Sequence, residues 1–249
     1  MIDAHCHISC KDFDSDRDQV INQLKKEMKA VVDSAPHPEI AKTSIDLHKR
    51  YPKFVFSTIG LHPVDALKLK AKQIEDHIEF IKENRKFIAG VGEIGLDYHY
   101  IKERSQIERT KEIFRQFIEL SKELELPIII HSRDSTSDCI KILNDMDARK
   151  VLLHCFGEHK LVDIVKENNY SITLPPLIAT SKNHRKIAKR LPMELIMTET
   201  DSPWFGSGSR GLPTNVKIVI EKIAKERKMS FDDVDRITTG NAERFYQIL

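Results

Sequence analysis

Eight short apolar runs, separated by stretches with helical spacing, constrain this chain more than any other feature. The runs fall at residues 2–8, 31–32, 54–59, 87–91, 127–130, 151–153, 170–174 and 195–198. Between them, Val20, Ile21, Leu24 and Met28 predict a helix over residues 14–30, and another is expected over 40–50. Ile74, Ile78 and Ile81 mark a helix over 73–84, and Ile107, Phe114, Phe117, Ile118 and Leu120 mark one over 103–124. Further helices are expected from Asp134 or Ser135, as a cap, to residue 143, over 161–167 and over 183–191. Eight strand–helix alternations are the pattern of parallel β/α units, and eight strands close a TIM (β/α)8 barrel. The rival is an open doubly wound sheet, but no Gly-x-Gly-x-x-Gly follows the first run, so its nucleotide-binding form lacks support. Ser230, three residues before Asp233, is placed to cap a closing C-terminal helix. No repeat or linker divides the chain, so residues 1–249 are expected to form one domain, with 206–211 a Gly/Ser-rich loop.

Charge excludes one easy answer. Forty basic residues against 38 acidic ones leave a net charge of +2, so a nucleic-acid partner would have to be bound by a local patch. The four cysteines (Cys6, Cys10, Cys139, Cys155) lack CxxC spacing and read as reduced thiols. Without a basic-then-apolar leader or a run of membrane-spanning length, a cytoplasmic protein with no membrane association is expected, and no obligate protein partner is implied.

The chemistry gathers where the runs end. His5 and His7 share a face of the first strand, because strand side chains have a period of two, while Cys6 faces away. His62, Glu93, His131, His154 and Asp201 follow at the ends of later strands, which is where barrels of this kind carry their active sites. Imidazoles with carboxylates suit Zn²⁺, and the oxygen donors also admit Mn²⁺ or Mg²⁺. The donors exceed the needs of one catalytic ion, so two divalent ions are expected, with Glu93 able to bridge them and Asp201 able to accept a proton from an activated water.

These residues stand in blocks: His5-x-His7, Gly60-x-His62-Pro63, Gly92-Glu93-x-Gly95-Leu96-Asp97-Tyr98, His131-Ser132-Arg133, His154-Cys155-Phe156 and Glu199-Thr200-Asp201-Ser202-Pro203. In this order they resemble the signature of the TatD family of metal-dependent deoxyribonucleases, within the amidohydrolase superfamily. Gly240-Asn241-Ala242-x-x-x-Phe245 is similar to that family's last helix. The resemblance implies a barrel in which His5, His7, Glu93 and Asp201 hold one ion and Glu93, His131 and His154 the other. It also implies hydrolysis of DNA phosphodiesters, often from an end, with Mg²⁺, Mn²⁺ or Zn²⁺. The chain departs from the family at Gly157-Glu158, at Pro175-Pro176 and over residues 210–216, segments expected to meet substrate and not metal.

Substrate contacts follow from chemistry as well as position. Arg133 can grip a phosphate bidentately or serve as a structural ion-pair partner, His62 can bind phosphate, protonate a leaving oxygen or pack the turn before Pro63, and Trp204 can stack on a base or be a buried anchor for its loop. Lys182, Arg185, Lys186, Lys189 and Arg190 follow no single stripe and read as a solvated helix face, and Cys6 and Cys155 as packing residues. Glu199, two residues before Asp201, is expected deeper in the barrel, orienting a neighbour. The same donors would serve an amide or ester hydrolase, including an aminoacyl-tRNA deacylase. A catalytically silent scaffold would lack ligands, and none is missing.

Overall fold

The protein is described by a computed structural model covering residues 1–206 and 208–248; Ser207, inside the expected 206–211 loop, and Leu249 lie outside the described residues. Strand β1 (Ile2–Cys6) leads through α1 (Arg17–Leu24) to β2 (Ala30–Ala35), and α2 (Pro38–Arg50) to β3 (Val55–Ile59). A single turn, α3 (Pro63–Ala66), and α4 (Ala71–Glu83) precede β4 (Ile88–Asp97). The alternation continues with α5 (Arg104–Glu123), β5 (Ile128–Arg133), α6 (Thr136–Asp145), β6 (Val151–Leu153), α7 (Val162–Glu167) and β7 (Ser171–Leu174). It ends with α8 (Lys182–Arg190), β8 (Ile196–Thr198), α9 (Val216–Arg227) and α10 (Phe231–Tyr246). All eight strands lie parallel in the order β1 to β8, each paired with its sequence neighbour, and form a nearly closed TIM barrel with a C-terminal helix.

Among the described residues no strand ladder joins β8 back to β1. The seam is closed at the mouth instead. The Asp201 amide donates to the His5 carbonyl at 3.0 Å and the His7 amide to the Ser202 carbonyl at 2.8 Å. Below them the buried Asp3 carboxylate accepts from the amides of His5 (3.2 Å) and Thr200 (3.0 Å), and the Thr200 hydroxyl donates to its other oxygen.

Strand alternation divides the interior into two levels. Val32, Phe56, Ile129, Leu152 and Met197 cluster with Ala242 and Tyr246 of α10, forming an apolar floor. Two residues further along the same faces come Ser34, Thr58, His131, His154 and Glu199, so the floor passes directly into a polar mouth. The Tyr246 hydroxyl donates to the Ala4 carbonyl at 2.9 Å, which seats the closing helix under the barrel.

Several boundaries differ from the sequence expectation. The first helix spans only Arg17–Leu24, because the Lys29 amide bonds to the Met1 carbonyl and Ala30 already belongs to β2. Strand β4 does not stop at Val91: Gly92 and Gly95, both at φ +147°, carry it on to Asp97, so Glu93 lies within a strand. At Gly95 a Cβ would stand 2.1 Å from the His131 carbonyl oxygen, so only glycine lets β4 approach β5 there. Ser135 precedes α6 without capping it; its hydroxyl donates to the Leu96 carbonyl at 2.7 Å. Helix α9 lies outside the expected set, although Val216, Val219, Ile220, Ile223 and Ala224 form its buried stripe.

Candidate functional site

Seven positions singled out from the sequence come together at the carboxyl end of the barrel. His5 and His7 come from β1 and the residue just past it, Glu93 from β4, His131 from β5, His154 just past β6 and Asp201 from the segment after β8. His62 enters from the turn after β3. Glu93 is the hub. Its Oε1 lies 2.7 Å from His131 Nδ1, 2.9 Å from His154 Nε2 and 4.0 Å from His62 Nε2. Its Oε2 lies 3.6 Å from His5 Nε2 and 3.8 Å from His7 Nε2. Asp201 Oδ1 stands 3.1 Å from His7 Nε2 and 3.6 Å from His5 Nε2.

Hydrogen bonds behind the imidazoles determine which nitrogen faces the centre with a lone pair. His7 Nδ1 donates to the Ser34 carbonyl at 2.8 Å, which leaves Nε2 a bare acceptor pointed at Asp201. His131 Nε2 donates to Asp97 Oδ2 at 3.0 Å, leaving Nδ1 a bare acceptor pointed at Glu93. Nitrogen also faces nitrogen, His5 against His7 and His131 against His154, each pair at 3.2 Å. Lone pairs so gathered repel unless a proton or a cation lies between them, and the donor chemistry fits divalent metal. His5, His7 and Glu93 form one group of converging donor atoms, and Glu93, His131 and His154 another.

The titration behaviour reports the same competition. Burial opposes charge on every member, yet the His154 and His131 imidazoles hold the Glu93 carboxyl well below its usual range, and Glu93 holds His154 well above. Bonds to Asp201 and Asp97 likewise raise His7 and His131 against the cost of burial. In the absence of metal, protons take the place of the cation.

His62 is set differently. Its Nδ1 accepts the Val64 amide at 3.3 Å as the cap of α3, so the neutral ring carries its proton on Nε2, facing the cavity. Burial and the neighbouring His131 push its pKa down to about 4, so it stays neutral near pH 7. His62, Asp97 and His131 also converge, but there the hydrogen bonds place a proton on Nε2 of both rings, so this group offers fewer lone pairs than the other two. His62 thus presents a neutral N–H donor to the cavity.

Three residues in this shell carried no assigned role in the sequence reading. Asp97 accepts the His131 ring and the amides of His99 and Tyr100, both at 2.9 Å; its place within Gly92–Tyr98 was the available signal. Thr173 donates to Glu199 Oε2 at 2.7 Å, and the Ser34 carbonyl, being backbone, leaves no sequence trace. Glu199 is fully buried, with Oε2 3.6 Å from His154 Nδ1, beneath the mouth as alternation requires. Cys155 corrects another expectation: its φ of +50° breaks the strand alternation and turns it, half-buried, into a cavity beside Asp201, whereas Cys6 is buried as expected.

Above the cluster a cavity of about 570 Å³ is rimmed by Pro36, Val64, Tyr100, Trp204 and Phe205. A second, of about 460 Å³, shares His131, Arg133, His154, Asp201 and Phe205 with it. Arg133 lies between them, exposed and, among the described residues, unpaired with any carboxylate; its guanidinium carbon sits 5.1 Å from the Tyr100 ring centroid. Trp204 is 53% exposed, its ring edge-on to His7 at 4.8 Å, which settles it as a surface residue of the cavity and not a buried anchor. In the basic α8, by contrast, Lys189 pairs with Glu226 and Arg190 with Asp163, both at 2.8 Å.

A parallel (β/α)8 barrel with imidazoles and carboxylates gathered at the carboxyl ends of its strands defines a class, the metal-dependent hydrolases. Within it, this chain belongs to the family described as TatD related DNase, whose model matches residues 2–247. It is 34% identical to the uncharacterized metal-dependent hydrolase YabD of Bacillus subtilis, over 100% of this chain and 99% of that protein. It is 33% identical to the deoxyribonuclease TATDN3 of Homo sapiens, over 99% of this chain and 94% of that one. The fold is also that of the TatD homolog YJJV from Escherichia coli, with a TM-score of 0.90 at 22% identity, covering 100% of this chain and 98% of that one.

Proposed function

We propose that the protein hydrolyses DNA phosphodiester bonds, taking nucleotides from an exposed end, with two divalent ions at the barrel mouth. His5, His7, Glu93 and Asp201 would hold one ion and Glu93, His131 and His154 the other, with Glu93 as the bridge. The observation that carries this reading is an arginine that, among the described residues, pairs with no carboxylate and holds only the Tyr100 hydroxyl at 3.5 Å, beside converging metal-facing donors, since a guanidinium matches phosphate and has little to do for a neutral amide. The imidazoles of the set suit Zn²⁺, and its carboxylates also admit Mn²⁺ or Mg²⁺. Bound there, the ions would supply Lewis acidity and a water acidic enough to attack phosphorus near neutral pH.

The chain's own groups do the rest. Arg133 holds non-bridging oxygens, and the His62 Nε2–H donates to the phosphate or its leaving oxygen. Asp201, at 16% side-chain exposure the more open of the two carboxylates, accepts the proton of the attacking water. Trp204 offers a stacking face for the adjacent base. Relatives named as deoxyribonucleases agree with this substrate. Glu93 and His154 lie 4% and 6% exposed at the base of the cavity, a depth that favours a strand end over the interior of a duplex.

The test is digestion of end-labelled DNA by protein loaded with Zn²⁺, Mn²⁺ or Mg²⁺. Stepwise shortening by wild type and a loss of about 100-fold in kcat/KM for Arg133→Ala are expected. Intact DNA in all three metals, with two ions bound per chain, would sink the proposal.

A further inference from the structure

We propose that Tyr100 forms a second nucleobase subsite, so that the site takes two adjacent unpaired nucleosides, one on Tyr100 and one on Trp204, with the phosphate between them. The inference rests on the phosphodiesterase reading above. Large exposed hydrophobic side chains are few: among the described residues they are Tyr100, Ile164, Trp204, Phe205 and Ile218. Three of the five ring this one cavity. Exposed aromatic area gathered at a concave site marks a place where something apolar and flat is received.

Topology sets the two platforms against each other. Tyr100 follows β4 and Trp204 follows β8, strands four apart in an eight-stranded ring, so they flank the cavity from opposite sides. Glu93, His131 and Asp201 line the same cavity. A phosphate held there directs its two sugars outward in opposite directions, each toward an aromatic ring.

Both platforms are held in place from below. Asp97 accepts the backbone amides of His99 and Tyr100, and the Tyr100 ring stands edge-on to His99 at 4.8 Å. On the other side the Trp204 amide donates to the Asp201 carbonyl at 3.0 Å. At 63% exposure, the Tyr100 ring is stabilised by no core packing, and the Arg133 guanidinium beside it would be shared between ring and phosphate. Bases on opposite walls cannot stack on each other or remain in a duplex. The ligand is therefore an unpaired oligonucleotide with a base on each side of the bond that is cut.

Thymidylyl-thymidine and the methyl phosphate esters of thymidine at its 3′ and at its 5′ oxygen test this, because each ester keeps one base and replaces the other nucleoside with methyl. Each ester should lose about 5- to 150-fold in kcat/KM with wild-type enzyme loaded with Mn²⁺. Tyr100→Ala should cost the dinucleotide a similar factor and cost one ester at least about five-fold less, while Trp204→Ala shows the reverse preference. Tyr100→Phe should restore the dinucleotide rate, separating stacking from loss of the hydroxyl. The single tryptophan gives a second readout, quenching of its fluorescence by the dinucleotide, with an apparent Kd raised by Tyr100→Ala. Equal losses on all three substrates, or none, would overturn the subsite while leaving the phosphodiesterase reading intact. Failure of wild type to cleave any of them would overturn that reading and the subsite with it.

Discussion

A carboxylate that touches no substrate can decide whether the imidazole in front of it binds metal. Asp97 does this for His131: by taking the Nε2 proton it presents the Nδ1 lone pair to the centre. Asp97→Asn should keep an acceptor for the His99 and Tyr100 amides but offer His131 a donor, reversing the tautomer. Calorimetric titration should then show affinity for the second ion lowered by about 10- to 100-fold, with thermal stability little changed. His62 obeys the opposite logic, since its proton faces the cavity. Its role requires a donor, and charge is not needed; His62→Gln, whose amide can donate from a similar place, should keep kcat within about ten-fold of wild type, whereas His62→Ala should lose about 100-fold. Equal loss in both variants would return His62 to the part of a titrating acid.

At the scale of elements the strand ends hold the site together, and among the described residues the β8–β1 seam is the one junction without a strand ladder. There one buried carboxylate, Asp3, satisfies two amides and a hydroxyl that a strand ladder would otherwise have served. Asp3→Ala should destabilise the protein by about 2–4 kcal/mol in urea titrations, because two buried amides and a hydroxyl lose their acceptor, while Asp3→Asn should cost less than half of that. The strand order and most helices were legible from apolar runs and their spacing, and so was the convergence of His5, His7, His131 and His154, since position at a strand end follows from where a run stops. What escaped had physical reasons. Glycines at 92 and 95 look like terminators yet carry β4 onward, because φ near +147° is a conformation that side-chain-bearing residues rarely adopt and glycine adopts freely. The tautomers of His7 and His62 depend on a backbone carbonyl and a backbone amide, which no side-chain pattern records. Cys155 defeats alternation because one left-handed residue ends the period of two.

At the scale of the whole molecule, stability should follow both metal and pH. The donor groups come from β1, β4, β5 and the segments after β6 and β8, so chelation releases ties that span the barrel, and EDTA should lower Tm by several degrees, restored by adding back metal. Acid should act through a separate group. His184 is buried, with neither ring nitrogen hydrogen-bonded among the described residues, and burial lowers its pKa. The unfolded chain therefore takes up a proton near the ordinary histidine value while the folded one does not, and stability falls as pH drops below about 6.5. His184→Phe should flatten the decline in Tm between about pH 7 and about pH 5. Closure at the seam also has a consequence in time. His7 and Asp201 are 194 residues apart, and the bonds that join the ends of the barrel involve Thr200, Asp201 and Ser202. A chain still being synthesised therefore has neither a closed ring nor a full donor set until residues 200–202 have followed the last strand off the ribosome, so folding of the mouth and assembly of the donor set must come late.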